Sequence, residues 1–242
     1  MQLENVFVFD VDGTLTPPRQ PMTEDFEIHF SNFVNNNTVY LVSGSDIAKI
    51  REQVPSDILE KCSGIFGSSG NELWVAGKNV YTNEFPANES LMHRLEGFVQ
   101  KSKYRTKTGR HIELRPGMVN FSTVGRNADA LERKKYHTWD KKNQERKRIA
   151  ISLLVSNPEV EVSIGGEISI DIYPKGLDKS QAISYIKKEH EGKPIKIHFF
   201  GDKTDPPGND YSAVCALSDL DQPHPVKNYN QTLKILKVFL EN

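Results

Sequence analysis

The sequence predicts an α/β protein with a doubly wound parallel sheet, interrupted by an inserted α+β domain. Three observations carry this reading. Near both ends of the chain, short unbroken apolar runs alternate with helix-length amphipathic segments, the pattern of parallel strands covered by helices on both faces. Between them, from about residue 83 to 173, apolar and polar residues alternate one by one, as in strands with a single buried face. The unbroken runs end in carboxylates or hydroxyls, where open parallel sheets bind their ligands.

Val6 to Phe9 is β-branched and aromatic throughout, which fits a strand buried on both faces. The next segment has the length of a helix, with Thr23 as N-cap and Phe26, Phe30, Phe33 and Val34 on one side. "TVYLV", Thr38 to Val42, reads as a second strand, Ile47 to Val54 as a second helix, and Gly64 to Phe66 as a short third strand. This βαβαβ order implies right-handed crossovers. Late in the chain, "DKSQAISYIKKEHE" reads as a helix capped by Asp178, "PIKIHFF" as a strand, and Thr232 to Leu240 as a closing helix. The core is therefore expected over residues 1–82 and 174–242, and the insertion over 83–173.

Within the insertion, "HIELRPGMVNFS" reads as a hairpin turning at Pro116 and Gly117, with Ile112, Leu114, Val119 and Phe121 on one face. "EVEVSIGGEISIDIY" repeats the pattern about Gly165 and Gly166, with Val160, Val162, Ile164, Ile168, Ile170 and Ile172 apolar. Two hairpins flanked by helices predict a four-stranded antiparallel sheet with one helix-covered face. The other face then carries Glu113, Arg115, Asn120, Ser122, Ser163, Ser169 and Asp171, a set suited to a polar ligand.

Composition narrows the function classes. With 37% hydrophobic and 26% charged residues over 242 positions, the chain is an ordinary globular one rather than a disordered one. A net charge of −1 offers no global attraction to nucleic acid or an anionic membrane, so neither is expected as a partner. The two cysteines, Cys62 and Cys215, lie far apart, which fits reduced thiols and a cytoplasmic location. The N-terminal apolar stretch is too short for a signal peptide, and no run reaches membrane-spanning length. From Arg133 to Arg148, eight Lys and Arg face two acids with Tyr136 and Trp139 interleaved. Such a segment can bind nucleic acid, but Leu131, Ile149, Leu153 and Leu154 supply a buried side, and a solvated helix pair is the expected reading.

The chemistry concentrates at the strand ends. Asp10 and Asp12 end the first strand, Ser43 and Ser45 follow the second, Asp202 follows the late strand, and Lys179 opens the helix before it. Carboxylates without His or Cys suit a hard ion such as Mg²⁺. One carboxylate offset by metal and lysine can attack phosphorus, and a second can carry the proton of the leaving oxygen. Gly13 permits the turn between them.

"DVDGT", "SGSD", "DK" at a helix start and "GDKTDPPGND" resemble the four motifs of the haloacid dehalogenase superfamily. "LTPPRQ", "IELRPGMVNFSTVGR", "ER", "SIGGEISIDIYPKGLDK" and "FFGDKT" resemble the eukaryotic-type phosphomannomutases within its capped subclass IIB, in register from about Val6 to Asp210. The resemblance implies a haloacid-dehalogenase core with a substrate-binding cap. It implies Asp10 as nucleophile, Asp12 as general acid and base, and Lys179 as the residue that steadies the phosphoryl group, with Ser43 or Ser45 bonding it. It implies Mg²⁺ on Asp10, the backbone carbonyl of Asp12 and Asp202, with Asp210 close by. Arg19, Arg115, Arg126, Arg133, Ser169 and Asp171 match positions that hold a hexose phosphate. The implied reaction interconverts mannose 6-phosphate and mannose 1-phosphate, with a hexose 1,6-bisphosphate as activator and GDP-mannose synthesis downstream, in a homodimer formed through the cap. The alternative is a Mg-dependent sugar-phosphate phosphatase on the same core. The chain departs from the family at "FGSSGNELW", which lacks Glu-Asn-Gly but keeps Gly70 for the turn. It departs again after Asp210, where Asp219 and Asp221 are the nearby acids for a second metal site.

Overall fold

The computed structural model describes residues 3–85 and 87–241. It divides into two compact units, Met1–Thr82 with Leu177–Asn242, and Asn83–Gly176.

The first unit is a seven-stranded sheet in the order β11-β10-β1-β2-β3-β4-β5. Its strands are β1 (Glu4–Asp10), β2 (Thr38–Val42), β3 (Gly64–Gly67), β4 (Glu72–Val75), β5 (Lys78–Thr82), β10 (Ile195–Gly201) and β11 (Gln222–Pro225). The five from β11 to β3 run parallel, and β4 and β5 extend them as an antiparallel hairpin. Successive residues of β1 point to opposite faces, so each face acquires its own core. Phe7 and Phe9 pack with Leu41 under α1 (Glu24–Asn36), α2 (Ile47–Gln53), α3 (Ser56–Lys61) and α9 (Tyr229–Glu241). Val6 and Val8 pack with Tyr40, Val42 and Phe66 under α7 (Ser180–Glu189) and α8 (Tyr211–Cys215). Phe9 stacks on Phe200 with ring centroids 4.5 Å apart, and Phe33 meets Phe7 edge-on at 4.8 Å, arrangements that add to simple burial.

Several short elements escaped the sequence reading. In α3, only Ile58 and Leu59 are buried, too few to set a period. β11 contains Pro223 and Pro225, which argue against a strand in general but are tolerated at a sheet edge, where β11 lies. The N-cap of α7 is Lys179, one residue later than expected, and Asp178 Oδ1 accepts the Ser180 N–H at 2.8 Å.

The second unit holds α4 (Glu89–Lys101), β6 (Ile112–Arg115), β7 (Met118–Phe121), α5 (Ala130–Asn143), α6 (Glu145–Ser156), β8 (Val160–Gly165) and β9 (Ser169–Pro174). Its four strands form an antiparallel sheet in the order β6-β7-β9-β8. Val119, Phe121, Ile170 and Ile172 face Leu91 and Leu95 of α4 and Ile149 and Leu153 of α6. Leu114, expected on this face, is 67% exposed because β6 is an edge strand and α6 packs on β8 and β9. Leu131 and Leu154 are likewise exposed rather than buried. Tyr136 is wholly buried and packs with Tyr104 and the partly buried Trp139, so Tyr136 of the basic segment is a core residue. Cys62 is buried, Cys215 is exposed, and neither forms a disulfide. No helix of the described residues is long and apolar enough to cross a membrane.

At the β10–β11 edge, His198 donates from Nε2 to Asn5 Oδ1 at 3.2 Å and shares a 3.0 Å hydrogen bond with His224 Nε2 through Nδ1. The His224 ring stacks on Phe200 at 4.3 Å. Burial, with Lys196 adding to it, pulls His198 down to about 4, and burial followed by His198 does the same to His224. The unfolded chain binds protons at these histidines near the ordinary value of about 6.5, while the folded chain resists until near 4. Stability is therefore fully present above pH 6.5 and falls as pH drops towards 4. We expect urea midpoints to fall between pH 7 and 5 by less in His224→Phe than in the parent chain. Identical slopes would refute a role for this pair.

Candidate functional site

Strand order places the site. From β1 the chain builds outward to β2 and β3 on one side, and β10 with β11 fills the other. The point of reversal lies between β1 and β10, where a doubly wound sheet opens a crevice at the strand carboxyl ends. Asp10 ends β1, and Asp202 directly follows β10. After Asp10 the chain turns tightly, with the N–H groups of Thr14, Leu15 and Thr16 all donating to Val11 O at 3.2, 2.9 and 3.1 Å. Gly13 has φ +89°, and a Cβ there would meet Asp202 Oδ2 at 2.8 Å. Both facts require glycine.

Four segments bring charges together. The Lys179 ammonium, whose side chain is fully buried, donates to Asp10 Oδ1 at 2.6 Å and to Asp210 Oδ1 at 2.6 Å. Thr14 Oγ1 donates to Asp10 Oδ2 at 3.1 Å, and the Lys203 backbone N–H donates to Asp210 Oδ2 at 2.9 Å. Burial and then Asp210 push the Asp10 carboxyl well above the usual carboxylate range, against the pull of Lys179. Burial also raises Asp202, with Lys203 opposing it. Burial alone would lower the Lys179 ammonium, but Asp10 and Asp210 outweigh it and hold its proton firmly.

Asp10, Asp202 and Asp210 each offer an oxygen within 4.8 Å of the others. Three carboxylates against one buried ammonium leave an excess of negative charge, and the donor set is all oxygen. Both features fit a hard divalent cation held by these residues. The Asp12 carboxylate is not part of this trio. Its Oδ1 accepts the Arg19 backbone N–H at 2.7 Å and Gln53 Nε2 at 2.8 Å, and its Oδ2 accepts Ser45 Oγ at 3.3 Å. Asp10 is buried, whereas Asp12 is half-buried.

Ser43 and Ser45 lie just past β2. Ser43 Oγ accepts the Ser45 N–H at 3.1 Å. Their loop is clamped from behind, Ser68 N–H donating to Ser45 O at 2.8 Å and Ser69 N–H to Ser43 O at 2.7 Å. Gly70, with φ +91°, makes the turn of that clamp. Asn71 Nδ2 ties it to Leu177 O at 3.1 Å and Gln181 Nε2 to Ser69 O at 2.9 Å, so the clamp also braces the start of α7 and with it Lys179. Glu72 accepts the Ile47 N–H at 2.9 Å and the Trp74 indole N–H at 2.8 Å, fixing the start of α2. Gln53, Asn71, Glu72 and Gln181 were missed in the sequence, because an isolated amide or acid within an amphipathic stretch carries no local signal. Asp221 is spent structurally, accepting Ile197 N–H at 2.8 Å and Ser218 N–H at 2.7 Å.

In the second unit the polar sheet face is organised around Glu113. Its Oε2 accepts Arg126 Nε at 2.8 Å and Arg115 Nη2 at 3.3 Å. Burial works against its charge, but Arg115 and Arg126 prevail and hold the carboxyl at about 2. Arg126 Nη1 donates to Ser169 Oγ at 2.9 Å. Strand register sets Glu113, Asn120, Asp171 and Ser163 in one row across β6, β7, β9 and β8, and Asn120 Nδ2 donates to Asp171 Oδ1. Arg133 spans the loop before α5, donating to Ala128 O at 2.7 Å and Arg126 O at 2.9 Å. Arg115, Arg126, Ser169 and Asp171 thus share one face, while Arg133 holds the backbone beside it. The Arg19 side chain is exposed, its backbone at φ 59°.

The model of the eukaryotic phosphomannomutase family matches residues 26–242. The chain belongs to that family. It is 32% identical over 241 residues to the phosphomannomutase of Saccharomyces cerevisiae, covering 96% of this chain and 93% of the relative. It is 34% identical over 248 residues to that of Drosophila melanogaster, covering 98% and 96%. Its fold is similar to a haloacid dehalogenase-like hydrolase from Bacteroides thetaiotaomicron, at TM-score 0.62 and 12% identity over 98% of this chain and 100% of the other. It is also similar to the C-terminal domain of the C. albicans trehalose-6-phosphate phosphatase, at TM-score 0.65 and 18% identity over 98% and 92%. The fold is therefore haloacid-dehalogenase-like, and the chain is an enzyme of the phosphomannomutase family.

Removal of one partner from a buried ion cluster leaves charge without compensation. In Lys179→Met, assayed with chelator present, we expect a loss of about 3–5 kcal/mol at pH 7 by urea unfolding. Asp10, which burial already pushes up, then faces Asp210 with no cation between them, so protonation of Asp10 relieves the pair and part of the loss is recovered at pH 5. A variant equally destabilised at both pH values would contradict this account.

Proposed function

We propose that the chain interconverts mannose 6-phosphate and mannose 1-phosphate through phosphorylated Asp10 and a hexose 1,6-bisphosphate, with that bisphosphate as activator. The observation that carries this reading is the buried Asp10–Lys179–Asp210 cluster at the point of sheet reversal, in a chain of the phosphomannomutase family. Mg²⁺, bound by Asp10, Asp202, Asp210 and the backbone carbonyl of Asp12, would offset the charge of the transferring phosphoryl group.

Asp10 is the nucleophile, its attacking oxygen kept in place by Lys179 and Thr14. Asp12 carries the proton of the oxygen that leaves or attacks. Ser43 and Ser45 bond the phosphoryl oxygens from their clamped loop. The first unit is the catalytic core and the second the substrate-binding cap. A mutase must grip the second phosphate of its bisphosphate, which a phosphatase has no need to do. Arg115 and Arg126 supply that grip, because a guanidinium fork binds phosphate in two places and stays charged. Glu113 sets the planes of both forks in advance. Arg19, Arg133, Ser169 and Asp171 complete the hexose-phosphate contacts. A cytoplasmic homodimer formed through the cap, feeding GDP-mannose synthesis, belongs to the same reading.

The decisive assay supplies Mg²⁺, mannose 1-phosphate and a trace of glucose 1,6-bisphosphate, and follows mannose 6-phosphate and inorganic phosphate together. We expect mannose 6-phosphate to dominate. Phosphate released without it would establish a phosphatase instead. Asp10→Asn should abolish turnover, and residual activity above about a thousandth of the parent rate would exclude the covalent route. Arg126→Ala should cut isomerisation about ten- to a hundredfold, as expected for a lost charged hydrogen bond, while any hydrolysis falls less.

A further inference from the structure

Gln53 is the last residue of α2 and is 2% exposed. Its Nε2 donates to Asp12 Oδ1 at 2.8 Å and to Thr16 Oγ1 at 3.2 Å, and its backbone carbonyl accepts the Met22 N–H at 2.8 Å. Its Oε1 is buried with no hydrogen-bond partner among the described residues. A residue placed there for packing alone would be apolar, since a buried carbonyl without a partner is costly. The reversed amide would set Oε1 against the Asp12 carboxylate, so the observed orientation is the one that charge permits. The amide is kept, at the expense of its oxygen, for what its nitrogen does.

That nitrogen acts on one side of Asp12. Oδ1 receives two short donors, Gln53 Nε2 and the Arg19 backbone N–H, whereas among the described residues Oδ2 receives only Ser45 Oγ at 3.3 Å. Two donors on one oxygen fix the rotation of the carboxylate about its last bond and leave the other oxygen the freer of the two.

We propose that Gln53 is a positioning residue that locks Oδ1 of Asp12 so that Oδ2 is presented for proton transfer. The proposal rests on the role assigned to Asp12 above. In the first half-reaction the sugar O–P bond breaks with its electron pair on the sugar oxygen, which takes the proton from Asp12, while Asp10 gains the phosphoryl group. In the second, a sugar hydroxyl passes its proton to Asp12 as its oxygen attacks phosphorus, and the Asp10–P bond breaks with its pair returning to Asp10. Misaiming the carboxylate slows these steps without weakening substrate binding, since geometric displacement of a reacting group acts on the rate.

Leaving-group dependence separates this role from a structural one. p-Nitrophenyl phosphate departs as a stable phenolate and needs no proton, whereas a sugar alkoxide does. Gln53→Leu and Gln53→Met both lack the donor, and Met keeps the length of the side chain, so one folded variant suffices. With Mg²⁺ and glucose 1,6-bisphosphate, we expect kcat for mannose 1-phosphate to fall about thirtyfold with KM within about twofold, and the single-turnover release of p-nitrophenolate from p-nitrophenyl phosphate, which reports only the transfer to Asp10, to fall at least about tenfold less. Equal losses on both substrates, no loss, or a change confined to KM would overturn the proposal. Asp12→Asn serves as the control. If it lowers both substrates equally, the proton-transfer role of Asp12 fails. If it shows the leaving-group pattern and the Gln53 variants do not, only the positioning role fails.

Discussion

The arrangement of the first unit depends on one ammonium group, that of Lys179, buried between Asp10 and Asp210. None of these charges could occupy the interior alone, because desolvation of an isolated ion exceeds what a marginally stable fold can tolerate. They are stable only as a set, and the set is drawn from the end of β1, the start of α7 and the start of α8. The backbone around them is shaped to let them meet. A Cβ at Gly201 would lie 2.7 Å from Asp210 Oδ2, and one at Gly13 would strike Asp202. Glycine at these two positions is therefore a condition of the charge cluster, beyond its freedom in turns.

Rigidity around the cluster comes from two sources of different kinds. Beneath it, Phe7, Phe9, Phe30, Phe33 and Phe200 interlock in stacked and edge-on pairs, and such packing resists small displacements. Around it, buried polar side chains fasten loop to loop. Glu72 fixes the start of α2, while Asn71 and Gln181 join the Ser68–Gly70 turn to the start of α7. Each of these bonds contributes little net stability, yet each would be expensive to leave unmade. Together they convert a loosely connected sheet edge into a site with fixed distances.

The sequence was most legible where one physical rule acted along one segment. Unbroken apolar runs marked β1, β2 and β10, and single-residue alternation placed Arg115, Ser169 and Asp171 on one face before any fold was known. It was least legible where a residue's role depends on a distant partner. Gln53 is one polar position among several in an amphipathic helix until Asp12, 41 residues away, lies beside it. Leu114 misled for a related reason, since alternation gives a face but not whether a helix covers that part of it. The basic segment from Arg133 was ambiguous in charge alone, and burial of Tyr136 decided its nature.

Asp10 and Asp12 leave the same strand end into opposite environments, and that difference divides their work. The Asp10 carboxyl is pushed up by burial and by its acidic neighbours, which disfavours the ionised form that the proposed nucleophile needs. Lys179 opposes this, and a divalent cation held by the same carboxylates would complete the correction. On the proposed reading, the burial of Asp10 is therefore what makes a bound cation useful to it. Asp12 is half-buried with two short donors on Oδ1, and on the proposed reading its Oδ2 carries the exchanged proton. What this pair cannot decide is whether phosphorylated Asp10 passes its phosphoryl group to water or to a sugar. That choice falls to groups that hold the sugar itself. In the second unit, Glu113 pairs with both Arg115 and Arg126 and fixes their orientation, which on the proposed reading aligns the two guanidinium forks for a phosphate that water does not carry.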